Sequence, residues 1–204
     1  MKTSSVVFGG LAMVVTLFLC SCTDQRLTKQ ELTFIVPPDT MPAVKPAIPG
    51  EPPPPPPKRA YYFPVNFVID SVGRVFYYQQ PFKRNDDEIT DWNTPPNFIH
   101  LSPQALVEVP DQDIEQVLKS KILTLGEQKR YVAIGCETDT VVSKGLYNLL
   151  QAMKNEGNHI KWKFRKVTQE ERIVLGFKKR QQPYNPQEIQ WDSSQIRFST
   201  SNDE

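Results

Sequence analysis

The chain has 204 residues, 24 Lys and Arg against 23 Asp and Glu, and a formal net charge of +1. That balance excludes a globally basic nucleic-acid binder. Only three cysteines are present, two of them close together near the start, so no disulfide framework is available and stability must come from a hydrophobic core.

Residues 1–21 read as a signal peptide. Lys2 supplies the positive start, and an apolar run of about 15 residues, 6–20, follows it. A membrane-spanning helix wants about 20 such residues. The run ends in Leu19-Cys20-Ser21-Cys22, which resembles the lipobox of bacterial lipoproteins, with Leu at −3, a small residue at −1 and Cys at +1. By that resemblance Cys22 is the mature, lipid-modified first residue and Cys20 leaves with the signal peptide. The alternative is an uncleaved anchor helix with two idle thiols. A metal pair is disfavoured, because Cys-x-Cys supplies two ligands and no His follows nearby. The address implied is the bacterial cell envelope, lipid-anchored and periplasm-facing.

Residues 22–36 form a tether, in which the brief apolar segment QELTFIVPP is either a docking strand or unstructured. Residues 37–58 are a proline-rich linker, with 11 prolines in the 21 residues 37–57. Proline locks φ and removes the amide donor, so this stretch reads as a polyproline II spacer. At about 3.1 Å per residue it reaches roughly 60 Å. Its roles are a stalk lifting a domain off a membrane or a proline-rich ligand for another protein.

The folded domain is expected over 59–180. Residues 65–69 and 75–78 alternate as a β-hairpin, with Asp70, Ser71, Val72 and Gly73 as the turn. A polar, acidic insert over 83–96 reads as a loop. Ile114, Val117, Leu118, Ile122 and Leu125 recur at helical spacing, after Pro110 and before Gly126. RYVAIGCE is a β-branched buried strand. Leu146, Leu149, Leu150 and Met153 form the stripe of a second helix stopped at Gly157. HIKWKFRKV then alternates strictly, with Ile160, Trp162 and Phe164 on one face and Lys161, Lys163 and Arg165 on the other. RIVLGF either caps the sheet or begins a polar tail, 181–204, in which EIQWDSSQIRF could add a strand. The order β-β-α-β-α-β predicts an α/β two-layer sandwich, a mixed β-sheet with two helices on one face.

This order, carried by VNFVIDSVGRVFYY, YVAIGCETDT and LYNLLQAMKNEGNHIKWKFRKVT, resembles the periplasmic domain of the ExbD/TolR family, partners of ion-driven envelope motors. The likeness covers roughly residues 65–168. FIVPP is also similar to that family's segment just after the membrane. The family carries an aspartate in a true membrane helix; residues 6–20 contain no acid, so proton conduction is not implied. The resemblance implies a periplasmic binding module for transport-motor subunits or peptidoglycan, with a homodimer as one arrangement.

No catalytic motif and no metal-ligand spacing is found, and no cofactor is implied. His100 and His159 share no ligand spacing with each other or with Cys136, which reads as a buried small hydrophobe. Glu137 and Asp139, at the end of a strand, are the most suggestive acidic pair; an enzyme acting on an envelope polymer through them is the rival reading, and a purely structural lipoprotein a third. Charge is uneven: residues 86–115 hold eight acids and no Lys or Arg, whereas 154–180 hold nine bases and three acids. These regions either balance each other within the fold or across a dimer, or the Lys161, Lys163 and Arg165 face meets an anionic partner.

Overall fold

The computed structural model describes residues 27–36, 61, 63–81 and 95–198. The expected signal peptide, the candidate lipidation site Cys22, the proline-rich linker and nearly all of the acidic insert lie outside those residues.

The centre of the molecule is a five-stranded mixed sheet in the order β4 (Val107–Val109), β3 (Val75–Gln79), β2 (Val65–Ile69), β5 (Tyr131–Cys136), β7 (Lys161–Lys166). Strands β2 (Val65–Ile69) and β3 (Val75–Gln79) form the expected antiparallel hairpin, registered from Val65 opposite Gln79 to Ile69 opposite Val75. Asp70 builds the turn: its carboxylate accepts the N–H groups of Val72 at 3.1 Å and Arg74 at 2.8 Å. Gly73 has φ of 88°, and a Cβ there would lie 2.2 Å from the Val142 carbonyl oxygen, so only glycine fits. Strand β4 (Val107–Val109), not foreseen in the sequence, pairs on the far side of β3. Strands β5 (Tyr131–Cys136) and β7 (Lys161–Lys166) extend the sheet in parallel from β2.

One face carries α1 (Ile114–Val117), whose helical path continues through Ile122, and α2 (Lys144–Met153). The path widens after α1: the Leu123 N–H reaches the Leu118 carbonyl, five residues back, at 3.0 Å. Ser143 caps α2, accepting the Leu146 N–H at 2.9 Å and donating to the Gly73 carbonyl. The apolar stripes meet Val65, Phe67, Ile69, Val75, Tyr77, Ile134 and Cys136 in the main core. The expected α/β sandwich, a mixed sheet with two helices on one face, is therefore what forms.

The opposite face is also covered. RIVLGF belongs to α3 (Gln169–Arg180), which caps this face of the sheet and is not the start of a loose tail. Thr168 and Glu171 cap it reciprocally: the Glu171 N–H reaches Thr168 Oγ1 at 3.0 Å and the Thr168 N–H reaches Glu171 at 2.7 Å. Val174 and Leu175 pack on Val68, Phe76 and Tyr78, with Leu101, Leu106 and Val167 completing a second core. Covered on both faces, β2 is buried along its whole length. The fold also runs past residue 180. Arg197 exchanges backbone hydrogen bonds with Pro96 and Phe98 in a single parallel bridge, Ile196 is buried, and Trp191 stacks edge-on to Phe98 at 4.9 Å.

The tether resolves as a docking strand. β1 (Thr33–Ile35) pairs antiparallel with β6 (Thr140–Val142) in a small second sheet. Phe34 and Val141 face the core, and Val36 is buried in it. Among the described residues, no helix is long and apolar enough to cross a membrane.

Candidate functional site: a cationic edge strand and the ion cluster behind it

β7 is the last strand of the sheet, and among the described residues nothing pairs with its outer edge. The Lys161 N–H is spent on the Arg130 carbonyl and the Val167 N–H on that of Cys136, both towards β5. Alternation along a strand therefore turns the backbone groups of Trp162 and Phe164 outward. The side chains alternate at right angles to this. Trp162 and Phe164 stack edge-to-face at 5.6 Å and pack against the main core. Lys161 and Lys163 stand exposed on the other face, with the Lys161 ammonium 5.2 Å from the centre of the Tyr131 ring.

Arg165 does not join them. It was expected on the exposed cationic face, but it is 1% exposed, covered by the capped end of α3. Its guanidinium grips Glu171 in a fork, Nη1 to Oε2 and Nη2 to Oε1, each at 2.6 Å. Nη1 also reaches the Lys166 carbonyl at 3.0 Å and Nη2 reaches Asn66 Oδ1 at 2.9 Å. The Tyr78 hydroxyl donates to Glu171 at 2.9 Å, and the Tyr61 ring lies 5.2 Å from the guanidinium carbon. The Glu171 carboxylate thus accepts four hydrogen bonds. Burial raises its pKa, but the Arg165 charge and these bonds outweigh burial and hold it below the ordinary value. Burial likewise works against the Arg165 charge, and Glu171 outweighs it, so the guanidinium is held more firmly protonated than in water.

Glu170, one residue away, has no such cation among the described residues. It accepts the N–H groups of Ile99 at 2.9 Å and Leu101 at 2.5 Å, pinning residues 99–101 onto α3. Burial, with the neighbouring Glu171 charge, pushes its pKa up to about 7, against the lowering by those two bonds.

No family model, curated protein or solved structure matches the chain.

The acidic pair at the end of β5 is drawn in two directions. Glu137 accepts the Ser71 N–H at 2.8 Å and a hydrogen bond from Lys179 at 3.3 Å, while Lys179 also bridges to the buried Asp70 at 3.2 Å. Asp139 is exposed and pairs with Lys166. Burial raises the Asp70 carboxyl, but its bonds from Arg74 and Lys179 outweigh that and lower it. These ion pairs tie the β2–β3 turn, β5 and α3 together at one end of the sheet. Cys136 is fully buried, and burial pushes its thiol up to about 12. His100 and His159 are exposed and hold positive φ of 57° and 47°. Among the described residues, no three His, Cys, Asp or Glu cluster to hold a metal.

The residues that sequence reasoning missed are Glu170, Glu171, Tyr78 and Asn66. A signal for one of them was present: Thr168-Gln169-Glu170-Glu171 has the Ser/Thr-x-x-Glu spacing of a capping box, directly before an apolar run. It predicts the start of α3, though not the arginine lying under it.

Proposed function

We propose that the chain is a lipid-anchored protein of the bacterial cell envelope, attached through Cys22. In this reading its α/β domain is a non-catalytic, periplasm-facing binding module, an accessory of an ion-driven transport motor or of the cell wall. Its element order resembles that of the ExbD/TolR periplasmic domain, without the proton-carrying helix.

The open outer edge of β7 carries this reading. An unpaired strand edge is a template for an extended partner segment, which adds main-chain hydrogen bonds while side chains supply specificity. Lys161 and Lys163 beside that edge select an anionic partner, an acidic protein segment or the carboxylates of peptidoglycan. Electrostatics of this kind acts mainly on encounter rate and orientation. Arg165 does not take part; it holds the strand to α3 from behind.

The test is a pull-down from detergent-solubilised envelope, comparing the wild-type protein with the Lys161→Glu/Lys163→Glu variant. Recovery of a motor subunit or of peptidoglycan fragments by the wild type, and its loss in the variant, is the expected result. Undiminished recovery by the variant removes the cationic edge from the reading. Mass spectrometry of the mature protein tests the anchor separately, through a diacylglycerol thioether on Cys22.

A further inference from the structure

The docking of β1 changes what the proline-rich segment can do. β1 is fixed at both ends, since the Ser143 N–H reaches the Leu32 carbonyl at 3.0 Å and the Val36 N–H reaches the Asp139 carbonyl at 2.8 Å. The chain rejoins the same fold at Tyr61 and Phe63. Residues 37–60 therefore connect two points of one folded unit and do not set its height above a membrane. The height is set by the ten residues between Cys22 and Thr33. Ten residues span about 35 Å at full extension. The true reach is shorter, because the Leu32 N–H bonds back to the Thr28 carbonyl and the Thr33 N–H to that of Gln30.

At the end of that short leash lies an exposed apolar corner. Ile35 is 80% exposed, Val72 71% and Val142 42%, three of the five large hydrophobics left in solvent among the described residues. Ile35 and Val142 share the outer face of the small sheet, opposite the core-facing Phe34 and Val141. Val72 belongs to the β2–β3 turn, which lies against β6 through the contact of Gly73 with Val142. Isolated surface hydrophobics need no explanation, but a grouped patch marks an interaction surface. Lys144 and Lys29 are exposed nearby, whereas Arg74 is spent on the buried Asp70 at 2.9 Å. Of the nearby acids, Asp139 pairs with Lys166, Glu137 and Asp70 share Lys179, and Glu31 is exposed.

We infer that this corner rests on the lipid bilayer, with Ile35, Val72 and Val142 in the headgroup boundary and Lys29 and Lys144 facing anionic headgroups. The domain then lies against its own membrane, where the proline content had suggested a stalk. The inference rests on the lipid anchor proposed at Cys22. A bilayer is favoured over a protein partner because the leash enters the fold at β1, the strand that carries Ile35.

The experiment uses the full chain, matured as a lipoprotein and reconstituted into vesicles of phosphatidylethanolamine and phosphatidylglycerol. A polarity-sensitive fluorophore is attached in turn through Ile35→Cys, Val72→Cys, Val142→Cys and, as reference, Lys163→Cys; all four positions are exposed, and buried Cys136 stays unlabelled in the native protein. Nitroxide-bearing lipids should quench the first three at least threefold more than position 163. Equal quenching at all four positions overturns the inference while leaving the anchor intact. Energy transfer between labelled copies at positions 35 and 142, without lipid quenching, also overturns it and assigns the corner to a second copy. Failure of the protein to float with the vesicles removes the anchor, and the inference with it.

Discussion

Arg165 and Glu171 meet in a two-pronged ion pair at 2.6 Å with almost no contact with solvent, although one sits on the last strand of the sheet and the other in the first turn of α3. A buried pair of this kind does not add much over well-packed apolar residues, but breaking it strands a charge. Arg165→Leu alone should cost about 3–5 kcal/mol. Arg165→Leu combined with Glu171→Leu should cost much less than the sum of the two single changes. Urea unfolding of all three variants gives the coupling; strict additivity would show that the pair is not an energetic unit.

Glu170 gives stability a pH dependence of defined sign. Its folded pKa of about 7 lies above the ordinary 4.5, so the folded protein binds more protons than the unfolded chain between those values. Its contribution is fully present below pH 4.5 and is lost as pH rises through 7, a change on the order of 1–3 kcal/mol. Glu171 acts with the opposite sign: its pKa is lowered, so its contribution is lost as pH falls below the ordinary carboxylate range. Glu170→Gln should flatten the unfolding free energy between pH 4.5 and 7 and leave the acid limb in place. An unchanged slope in that window would reject the assignment.

The β2–β3 turn and the start of α2 depend on one another through Gly73 and Ser143. Gly73→Ala brings a methyl group onto the Val142 carbonyl at a positive φ. It should destabilise by about 1–3 kcal/mol or more. Ser143→Ala removes the cap of α2 and the hydrogen bond to the Gly73 carbonyl, and should cost about 1–2 kcal/mol. Calorimetry on both single variants and the double variant checks the coupling; full additivity would separate the two features.

The Cys136 thiol is buried and held protonated far above neutral pH. In the native protein Cys136 should resist alkylation by iodoacetamide at pH 8, and urea should make it reactive. Rapid labelling of the native protein would place Cys136 at an accessible site instead.

The sequence showed most where local periodicity and burial agreed. The hairpin, the buried strand YVAIGC and the stripe of α2 follow from alternation or helical spacing that later meets a real core. The helical run after Pro110 is right in register, yet it is only partly α-helical, because its second turn widens to five-residue hydrogen bonding. The cationic strand shows the limit. Lys161, Lys163 and Arg165 are indistinguishable in pattern, since period-two alternation tells which face a side chain takes but not what will cover that face. Arg165 is buried because α3 folds back over it and brings Glu171, and that return depends on contacts at long sequence separation with Tyr78 and Asn66.

The tether follows the same logic at larger scale. By composition alone, the chain specifies an apolar run ending in Leu19-Cys20-Ser21-Cys22, a proline-rich segment that cannot enter helix or sheet, and an α/β domain with a hydrophobic core in place of disulfides. Those are properties of residues and their neighbours. Only tertiary structure decides that Thr33, Phe34 and Ile35 pair with Thr140, Val141 and Val142 more than a hundred positions later. Strand pairing depends on which backbone edge and which apolar face the rest of the fold leaves open, and that exists only once the sheet has formed. One three-residue strand thereby turns the proline-rich segment from a spacer into a connection within a single body.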